Sequence, residues 1–286
     1  MEPIKNLKSF IKKHITNRFL LDRIKGIYFP LRNFFSYPIE FLRYHYCILN
    51  NKPYFGVILS SVQGNTDRHA YMEKLVKSLS GRGESLRILE VGSWAGGSAV
   101  LWARSITRYN NGKGVVFCID PWQPYLGGQN HSLYKKMDTA LKKGTIVNLF
   151  YHNINYSGFG DKIIAIRGFS DDCLPALKNG QFDIVYIDGD HSYRSVVKDL
   201  TNAKSLCKEN GILCGDDLEL QYPGTDKQAL ELNIDKDFVI DPATSAWFHP
   251  GVTKAVWGIF GQEVSCYDGF WAMRKSGGEF IKVTLK

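Results

Sequence analysis

Residues 86–106, LRILEVGSWAGGSAVLWARSI, join a strand-like run to a helix-like run through a loop rich in glycine. The first six residues are mostly large and apolar, as in a strand buried on both faces. The glycines at 92, 96 and 97 allow tight turn geometry and let the backbone pass close to a ligand. The spacing E-x-G-x-x-x-G-x-S differs from the dehydrogenase fingerprint G-x-G-x-x-G, and no G-K-[ST] of a phosphate loop is present. The stretch predicts a strand, a ligand-binding loop and a helix in direct succession.

The same alternation continues toward the C-terminus. Helix-like segments separate further apolar strands, which are predicted at residues 114–120, 162–168, 182–188 and 211–217. Continuous apolar strands alternating with helices indicate a parallel sheet covered on both faces. Right-handed crossovers make this a doubly wound α/β sheet, with ligands above the carboxyl ends of its strands.

The C-terminal region lacks the regular alternation of strands and helices. Residues 218–248 form a long irregular segment, which is typical of a lid or an insertion. Residues 249–261 read as a helix with Pro250 in its first turn. Residues 263–285 predict three final strands, two of them in a hairpin.

Composition describes an ordinary globular protein. The chain has 286 residues, of which 44% are hydrophobic, enough for one large core and a small appendage. No apolar run is long enough to span a bilayer, and the N-terminal stretch does not resemble a signal peptide. The six cysteines form no C-x-x-C pair and are expected to be reduced and mostly buried. These features predict a cytoplasmic protein.

The first 50 residues carry most of the net charge of +8, because they hold nine Lys or Arg against three acidic residues. Ile4, Leu7, Ile11 and Ile15 follow helical spacing beside lysines, which predicts a basic amphipathic helix. Such a helix binds an anionic membrane surface or a partner. Alternatively, it packs its apolar stripe on the main domain. Nucleic acid is not expected as a partner, because the basic residues are not interleaved with aromatics around the cleft.

These differences in charge and apolar pattern predict two domains. An N-terminal helical arm covers residues 1–60, and its residues 1–35 are the candidate contact with the inner face of a membrane. The main domain covers residues 61–286. A homo-oligomer is compatible with the sequence.

Three aspartates follow two strands that should lie close together. Asp188 ends the strand at 182–188, and Asp216 and Asp217 end the strand at 211–217. Since adjacent strand ends lie about 5 Å apart, the three carboxylates should converge and repel one another. A hard divalent cation such as Mg²⁺, Mn²⁺ or Ca²⁺ removes that conflict. Alternatively, each aspartate acts separately as a turn former or helix cap.

Asp120 closes the strand at 114–120, where a carboxylate can accept hydrogen bonds from both hydroxyls of a ribose. The alternative is a helix-capping or loop aspartate. The stretch EVGSWAGGS, residues 90–98, resembles the first motif of class I S-adenosylmethionine (SAM)-dependent methyltransferases. The resemblance implies a seven-stranded Rossmann-like methyltransferase sheet.

The same resemblance implies where SAM binds. Glu90 and the Gly92–Gly96 backbone would hold the methionine end, Asp120 the ribose, and the stretch after the third strand the adenine. The SAM-binding residues implied in this way are Glu90, Gly92, Ser93, Gly96, Ser98, Asp120, Phe169, Ser170 and Asp188.

The pattern IDGDHSY followed by GDD resembles metal-dependent sugar O-methyltransferases of the macrocin O-methyltransferase type, over roughly residues 86–275. The resemblance implies that Asp188, Asp216 and Asp217 bind the metal, with Mg²⁺ expected. It also implies Asp190 or His191 as the general base. His191 is favoured because it titrates near neutrality, with Asp190 orienting it or sharing the role. A hydrogen-bonded loop histidine is the alternative.

The predicted function is therefore methylation of a sugar hydroxyl. The basic arm suits an acceptor held at a membrane, such as a glycolipid or a growing surface polysaccharide. The alternatives are a small-molecule O-methyltransferase acting on a catechol-like or natural-product acceptor, and a non-catalytic SAM-binding protein. Four further residues are candidates for the cleft, with core packing or a helix start as the alternative: Trp122, Trp247, Phe248 and His249.

Overall fold

The computed structural model describes residues 38–60, 66–81, 83–124 and 132–285. The amphipathic helix predicted within residues 1–35 lies outside the described residues and stays a prediction.

Within the described residues, the predicted strands are present at nearly the predicted positions. The strands are β1 (Leu86–Val91), β2 (Gly114–Asp120), β3 (Ile163–Arg167), β4 (Phe182–Ile187), β5 (Cys207–Leu218), β6 (Val239–Ile240), β7 (Trp247–Phe248), β8 (Ser265–Tyr267), β9 (Gly269–Ser276) and β10 (Glu279–Lys282). The largest difference is at β5, which begins four residues earlier than the apolar run from 211 indicated.

Helices precede β1, lie in the connections between the first five strands, and follow β5. They are α1 (38–49), α2 (Thr66–Leu79), α3 (Gly97–Tyr109), α4 (Ser132–Lys142), α5 (Thr145–Tyr156), α6 (Ser170–Cys173), α7 (Tyr193–Leu206), α8 (Lys227–Leu232) and α9 (Pro250–Phe260). Short 3₁₀ turns lie at Ile58–Ser60, Gly160–Lys162, Leu174–Ala176 and Tyr222–Gly224. Helix α9 confirms the helix predicted at 249–261, with Pro250 as its first residue, where the missing N–H costs nothing.

The main sheet has the order β10-β9-β5-β4-β1-β2-β3. Strands β1 to β5 are parallel, and β9 pairs antiparallel with β5. The predicted hairpin is β9–β10. Seven strands form the predicted Rossmann-like path, and the short β8 is an eighth strand that pairs with the first half of β9. The doubly wound fold is therefore confirmed.

Strand β1 lies between β2 and β4, so the chain order reverses at this point of the sheet. Ligands bind at such switch points in doubly wound folds. Gly92, just after β1, has φ +87°, and a Cβ there would lie 2.0 Å from the carbonyl oxygen of Asp188. A glycine is therefore required for the ends of β1 and β4 to approach this closely.

Apolar cores lie on both faces of the sheet. One contains Trp102 and Ile106 of α3 with Phe150 of α5, and the other contains Leu200 of α7 and Val252 of α9. Trp102 is fully buried against Tyr186 of β4, and truncating a Trp in such a position costs about 3–5 kcal/mol. These two layers fix the sheet edge that carries the site.

Residues 38–60, the part of the predicted arm that is described, pack on the main domain. Cys47, Tyr54 and Ile58 are buried in the core cluster of α2 and α3. The amide of Tyr54 donates to the side chain of Asn153 in α5, which donates in turn to the Tyr54 carbonyl. The boundary predicted near residue 60 stays a prediction.

The segment predicted to be irregular, residues 218–248, contains helix α8 and the antiparallel ribbon β6–β7. Asp241 supports it, because its carboxylate accepts bonds from the amides of Asp226 and Thr244. The sequence did not predict this ordered structure, because the elements are too short to show a periodicity.

All six cysteines are free, and four of them are buried, as predicted. Within the part of the chain that the structure describes, none of the helices combines the length and apolar character that a membrane crossing needs.

Candidate functional site

A cleft of about 710 Å³ lies along the carboxyl edge of β1, β2, β4 and β5. Its volume falls within the roughly 300–1,000 Å³ of small-molecule sites. Asp120 and Phe169 line one end, and Asp217 and His249 line the other. Gly92, Ser170, Asp188, Asp190 and His191 also line it, so the structure brings most of the predicted site residues to one cavity.

Asp120 is held by backbone groups of the surrounding loops. Its Oδ2 accepts bonds from the amides of Ser93 (3.0 Å) and Trp94 (2.9 Å), and its Oδ1 accepts one from the amide of Trp122 (2.7 Å). Burial raises its pKa, and the three amides oppose that rise. Since a carboxylate has about four acceptor positions, one position on Oδ1 is left for a ligand. With the three loop bonds in place, Asp120 can therefore accept one ribose hydroxyl, and the contact with both hydroxyls stays a prediction.

Glu90, Ser93 and Ser98 lie behind the glycine loop, where they are buried and do not line the cleft. Burial raises the pKa of Glu90 to about 7, and the neighbouring hydroxyls of Ser93 and Ser98 lower it. Gly96 caps the N-terminus of α3 in the left-handed region, at φ +82°. These four residues shape the loop from below, and a direct contact of each with SAM stays a prediction.

Phe169 and Ser170, predicted to contact adenine, both line the cleft beside the start of α6. The cleft also contains Asp199 of α7, which the sequence analysis missed. Asp199 is 2% exposed, and burial raises its pKa to about 7, opposed by the Ser170 hydroxyl. The sequence gives no signal for Asp199. It is one of several polar residues in α7, and the apolar pattern of the helix does not mark it as buried.

The carboxylates of Asp188, Asp216 and Asp217 lie at the opposite end. Burial and the charges of its two neighbours raise the pKa of Asp188 well above its ordinary value. Burial and Asp217 raise the pKa of Asp216 to about 6. The Tyr186 hydroxyl donates to Asp188 Oδ2 at 3.1 Å, which favours its ionised form. The cluster therefore attracts a cation.

Arg68 of α2 supplies one cation to this cluster. Its Nη1 lies 2.7 Å from Asp216 Oδ1 and 3.3 Å from Asp217 Oδ1, and its Nη2 lies 3.0 Å from Glu219 Oε1. A Cβ at Gly269, where φ is +91°, would lie 2.3 Å from Nη2, so the glycine makes room for the guanidinium. The sequence analysis missed Arg68, because nothing in its local pattern indicates a contact with residues so distant in the chain.

His191 lies between two carboxylates. Its Nε2 is 2.9 Å from Asp217 Oδ2, and its Nδ1 is 2.5 Å from Asp237 Oδ1. Burial alone would lower the pKa of His191, but the charges and hydrogen bonds of these carboxylates raise it well above its ordinary value. Asp190 does not orient His191 as expected, because its carboxylate accepts bonds from the amide and hydroxyl of Ser192. Asp237 orients the ring instead.

His249 lines the cleft, in agreement with one of its two predicted roles. Its Nδ1 lies 3.0 Å from Glu219 Oε2, and its ring stands edge-on to that of His191, with centroids 4.7 Å apart. Among the described residues, His191, Asp217 and His249 form the group of three potential metal ligands whose donor atoms all lie within 4.8 Å of one another. Asp188 and Asp216 are not part of that group.

The aromatic candidates separate into core and surface residues. Trp122 and Phe248 are buried in the core, so they cannot stack on a substrate. Trp247 is 57% exposed and stands edge-on to Phe238, which lines the cleft. Phe238 was missed because its segment was predicted as an irregular lid.

In a comparison with known families, residues 89–218 match a methyltransferase domain. That range contains the glycine loop, Asp120, His191 and the three clustered aspartates. A comparison with curated proteins gave no significant match.

Solved structures of O-methyltransferases are similar to this chain at low sequence identity. The O-methyltransferase NovP is 19% identical, with 73% of this chain and 80% of that chain covered and a TM-score of 0.51. An O-methyltransferase from Bacillus cereus in complex with SAH is 16% identical, with 73% and 80% covered and a TM-score of 0.44. The likeness to NovP supports the Rossmann-like methyltransferase fold.

Proposed function

We propose that this protein transfers the methyl group of SAM to a sugar hydroxyl with the help of a divalent cation. The observation that carries this proposal is the continuous cleft, which joins the glycine-loop end to the carboxylate and histidine end. A methyl donor at the first end faces an acceptor at the second. Alignment of two reactants in one cavity is the main contribution that such a protein makes to the rate.

The donor end offers the groups that SAM requires. The backbone of Gly92 and the carboxylate of Asp120 line the cleft beside Phe169 and Ser170. We assign the methionine part to the glycine loop, the ribose to Asp120, and the adenine to the Phe169 side. Glu90 supports this end indirectly, because it is buried under the loop.

The acceptor end has an excess of negative charge that suits a cation. Asp188, Asp216 and Asp217 were predicted to hold it, and Arg68 compensates only part of their charge. All three carboxylates line the cleft. A bound divalent cation would lower the pKa of an acceptor hydroxyl, which makes the hydroxyl a better nucleophile. The expected ion for an all-oxygen set is Mg²⁺.

The proton acceptor was predicted to be His191 or Asp190. Both ring nitrogens of His191 are engaged by carboxylates, Nε2 by Asp217 at 2.9 Å and Nδ1 by Asp237 at 2.5 Å, so His191 is a poor proton acceptor in this arrangement. Asp190 is exposed and lines the cleft, and its carboxylate accepts bonds from the amide and hydroxyl of Ser192. The geometry therefore favours Asp190 as the base, with His191 holding Asp217 in place.

The shape of the acceptor end supports a sugar as the methyl acceptor. The Phe238 ring lines the cleft, and the exposed Trp247 lies next to it. Flat aromatic faces with carboxylates nearby suit a pyranose ring, which has apolar C–H faces and polar edges.

The N-terminal region is the reason for proposing a lipid-linked acceptor. Helix α1, which follows the basic residues 1–35, exposes a stripe of large apolar side chains, made of Ile39, Leu42, Tyr46 and Leu49. An apolar stripe beside a basic segment is the pattern of peripheral binding to anionic lipid. We propose that this region holds the enzyme at the inner face of a membrane, near a glycolipid or polysaccharide precursor.

The test is incubation of the protein with methyl-labelled SAM and lipid-linked or polysaccharide fractions of its source, with Mg²⁺ or with EDTA. We expect label in a glycan only when metal is present. Label in soluble phenols would favour a catechol-type acceptor instead. Tight SAM binding without transfer to any fraction would indicate a non-catalytic role.

The membrane contact is tested separately by co-sedimentation with anionic vesicles. The full chain should sediment with the vesicles, and a variant lacking residues 1–35 should stay in solution. Equal sedimentation of the two proteins would remove the membrane proposal but leave the sugar proposal intact.

A further inference from the structure

The N-terminal arm reaches the glycine loop at the donor end of the cleft. Tyr54 and Leu59, in the described part of the arm, do not line the cleft, but hydrogen bonds connect both to the loop after β1. We propose that residues 54–59, the arm segment, position this loop for SAM, so that SAM binding and packing of the arm segment strengthen each other. The inference rests on the proposed function only for SAM as the donor-end ligand.

Asn153 of α5 joins the arm segment to the loop. Its side chain is fully buried, and its Oδ1 accepts a bond from the amide of Tyr54 at 2.7 Å. Its Nδ2 donates to the carbonyl of Tyr54 at 3.0 Å and to the carbonyl of Ala95, in the glycine loop, at 2.9 Å. Movement of either segment alone would leave buried polar groups without partners, which is costly. One side chain therefore fixes the two segments relative to each other.

Trp94 makes a second, direct connection. Its indole N–H donates to the carbonyl of Leu59 at 3.3 Å, and its own carbonyl accepts a bond from the indole of Trp122 at 2.8 Å. The amide of Trp94 donates to Asp120 at 2.9 Å, so the residue that contacts the arm also holds the carboxylate assigned to the ribose. Trp94 lines the cleft. The arm segment thus acts on a residue that faces the space for SAM.

Backbone strain is concentrated at these contacts. Leu59, Trp94 and Trp122 have φ angles of +57°, +43° and +44°, in the left-handed region that bulky side chains rarely adopt. Such conformations persist only where the surroundings hold them, and they are typical of ligand sites. Since hydrogen bonds join the three strained residues, the loop conformation depends on its supports, and the arm segment is one of them.

Tyr54 extends the connection to helix α1. Its side chain is fully buried, and its hydroxyl donates to Glu40 of α1 at 2.8 Å. The same hydroxyl accepts a bond from the amide of Ile58 at 3.1 Å, within the arm segment. Packing of α1 on the main domain and the shape of the glycine loop are therefore linked through Tyr54 and Asn153.

Thermodynamic linkage gives a measurable consequence of these contacts. A ligand that binds only the held loop also stabilises the contacts that hold the loop, and the effect is reciprocal. Local opening of the arm segment should therefore be less frequent when SAM is bound. At a SAM concentration 100 times its Kd, an opening that abolishes SAM binding would be suppressed about 100-fold.

The first test uses the wild-type chain. Hydrogen exchange of peptides covering residues 50–60 is followed by mass spectrometry, without SAM and with SAM at about 100 times its Kd. We expect exchange in these residues to slow at least about 10-fold when SAM is bound. The β9–β10 hairpin, where the amide of Gly277 is bonded to Glu209, is the control and should be unaffected. Unchanged exchange of residues 50–60 in SAM-saturated protein would overturn the inference.

A matched pair of asparagine variants tests the connection through α5. Asn153→Ala should weaken SAM binding at least about 10-fold in calorimetric titration, because three hydrogen bonds are lost. Asn110→Ala is the control, since that side chain is also buried and donates to two backbone carbonyls, but near the amino ends of β1 and β2. It should lower the melting temperature and keep SAM affinity within about threefold. Equal losses of SAM affinity in the two variants would contradict the inference.

A matched pair of tryptophan variants keeps the inference testable if Asn153→Ala does not fold. Trp94→Phe keeps an aromatic ring but removes the bond to Leu59, and it should weaken SAM binding about 5–10-fold. SAM should also slow the exchange of residues 50–60 less than in the wild type, which the loss of a direct contact with SAM would not cause. Trp102→Phe is the control, because the indole nitrogen of Trp102 has no hydrogen-bond partner among the described residues. Its SAM affinity should stay within about twofold, and the same affinity in Trp94→Phe would overturn the inference.

These measurements need no turnover, so they separate this inference from the proposed function. SAM that binds without slowing exchange in residues 50–60 removes the role of the arm segment and leaves the donor site as proposed. A folded protein that binds no SAM would remove both.

Discussion

The two ends of the cleft hold their carboxylates by different means. At the donor end, Asp120 is held by three backbone amides from the loops after β1 and β2. At the acceptor end, Asp217 is held by the side chains of Arg68 and His191. Backbone amides are fixed by the fold, whereas side-chain cations can be exchanged. The donor end is therefore a rigid part of the sheet edge, and the acceptor end is an electrostatic assembly that a cation or substrate can rearrange.

The largest effect is expected from removing the shared carboxylate of the acceptor end. Asp217→Ala should lower kcat about 10²–10³-fold, because His191 and Arg68 both lose their partner and the cation loses a ligand. Initial rates with labelled SAM measure it. Asp161→Ala is the matched control, since that side chain is 73% exposed, and it should leave kcat unchanged. Near-normal turnover of Asp217→Ala would show that the acceptor lies elsewhere.

At the donor end the expected effect is on stability. Asp120→Ala leaves the amides of Ser93, Trp94 and Trp122 without their acceptor, which should lower the free energy of unfolding by about 3 kcal/mol. Urea unfolding of the variant and of Asp161→Ala measures the difference. If both variants unfold at the same urea concentration, Asp120 does not hold the loop.

Glu90, the buried carboxyl below the glycine loop, should make the free energy of unfolding depend on pH. Burial raises the pKa of Glu90 from 4.5 to about 7, so the folded state binds its proton more tightly than the unfolded state. Wild-type stability should therefore fall as the pH rises through this range, by at most about 3 kcal/mol from this group. Glu90→Gln removes that loss.

The measurement for Glu90 is urea unfolding at pH 5 and pH 8. The wild type should lose up to about 3 kcal/mol more between these two pH values than the Gln variant does. The same loss in both proteins would mean that other groups, such as Asp199, account for the pH dependence.

The smallest effect is expected at the position that makes room for Arg68. Gly269→Ala places a Cβ 2.3 Å from Arg68 Nη2, which should lower kcat about tenfold while SAM affinity stays the same. Gly278→Ala is the matched control, because its φ of +82° is similar but no atom lies within 4 Å. Both variants should lose about 1–2 kcal/mol of stability to backbone strain. Equal kcat in the two variants would show that the position of Arg68 does not affect turnover.

The same contrast explains which parts could be predicted from the sequence. Strands β1 to β5 and their terminal residues follow from local apolar runs, so Asp120, Asp188, Asp216 and Asp217 could be assigned to one edge. The partners that decide their chemistry come from distant segments. Arg68, Asp237 and Glu219 carry no local signal, because their contacts exist only once helix α2 and residues 218–248 are folded against the sheet.

Of the two roles left open for Asp190, the orientation of His191 is the one that the described contacts do not support, and the reason is the same. A carboxylate next to a histidine in sequence looked like its orienting partner, but Ser192 at the start of α7 engages Asp190. Asp237, 46 residues away, reaches His191 instead. Neighbours along the chain need not be neighbours in a turn, where successive side chains point in different directions.

The most direct test of the contrast is calorimetric titration of SAM into Asp217→Ala and Asp120→Ala side by side. If the donor end is rigid and separate, Asp217→Ala should bind SAM within about threefold of the wild type, and Asp120→Ala should bind it at least about 30-fold more weakly. An equal loss of SAM affinity in the two variants would contradict the account, because the two ends would then form one coupled site.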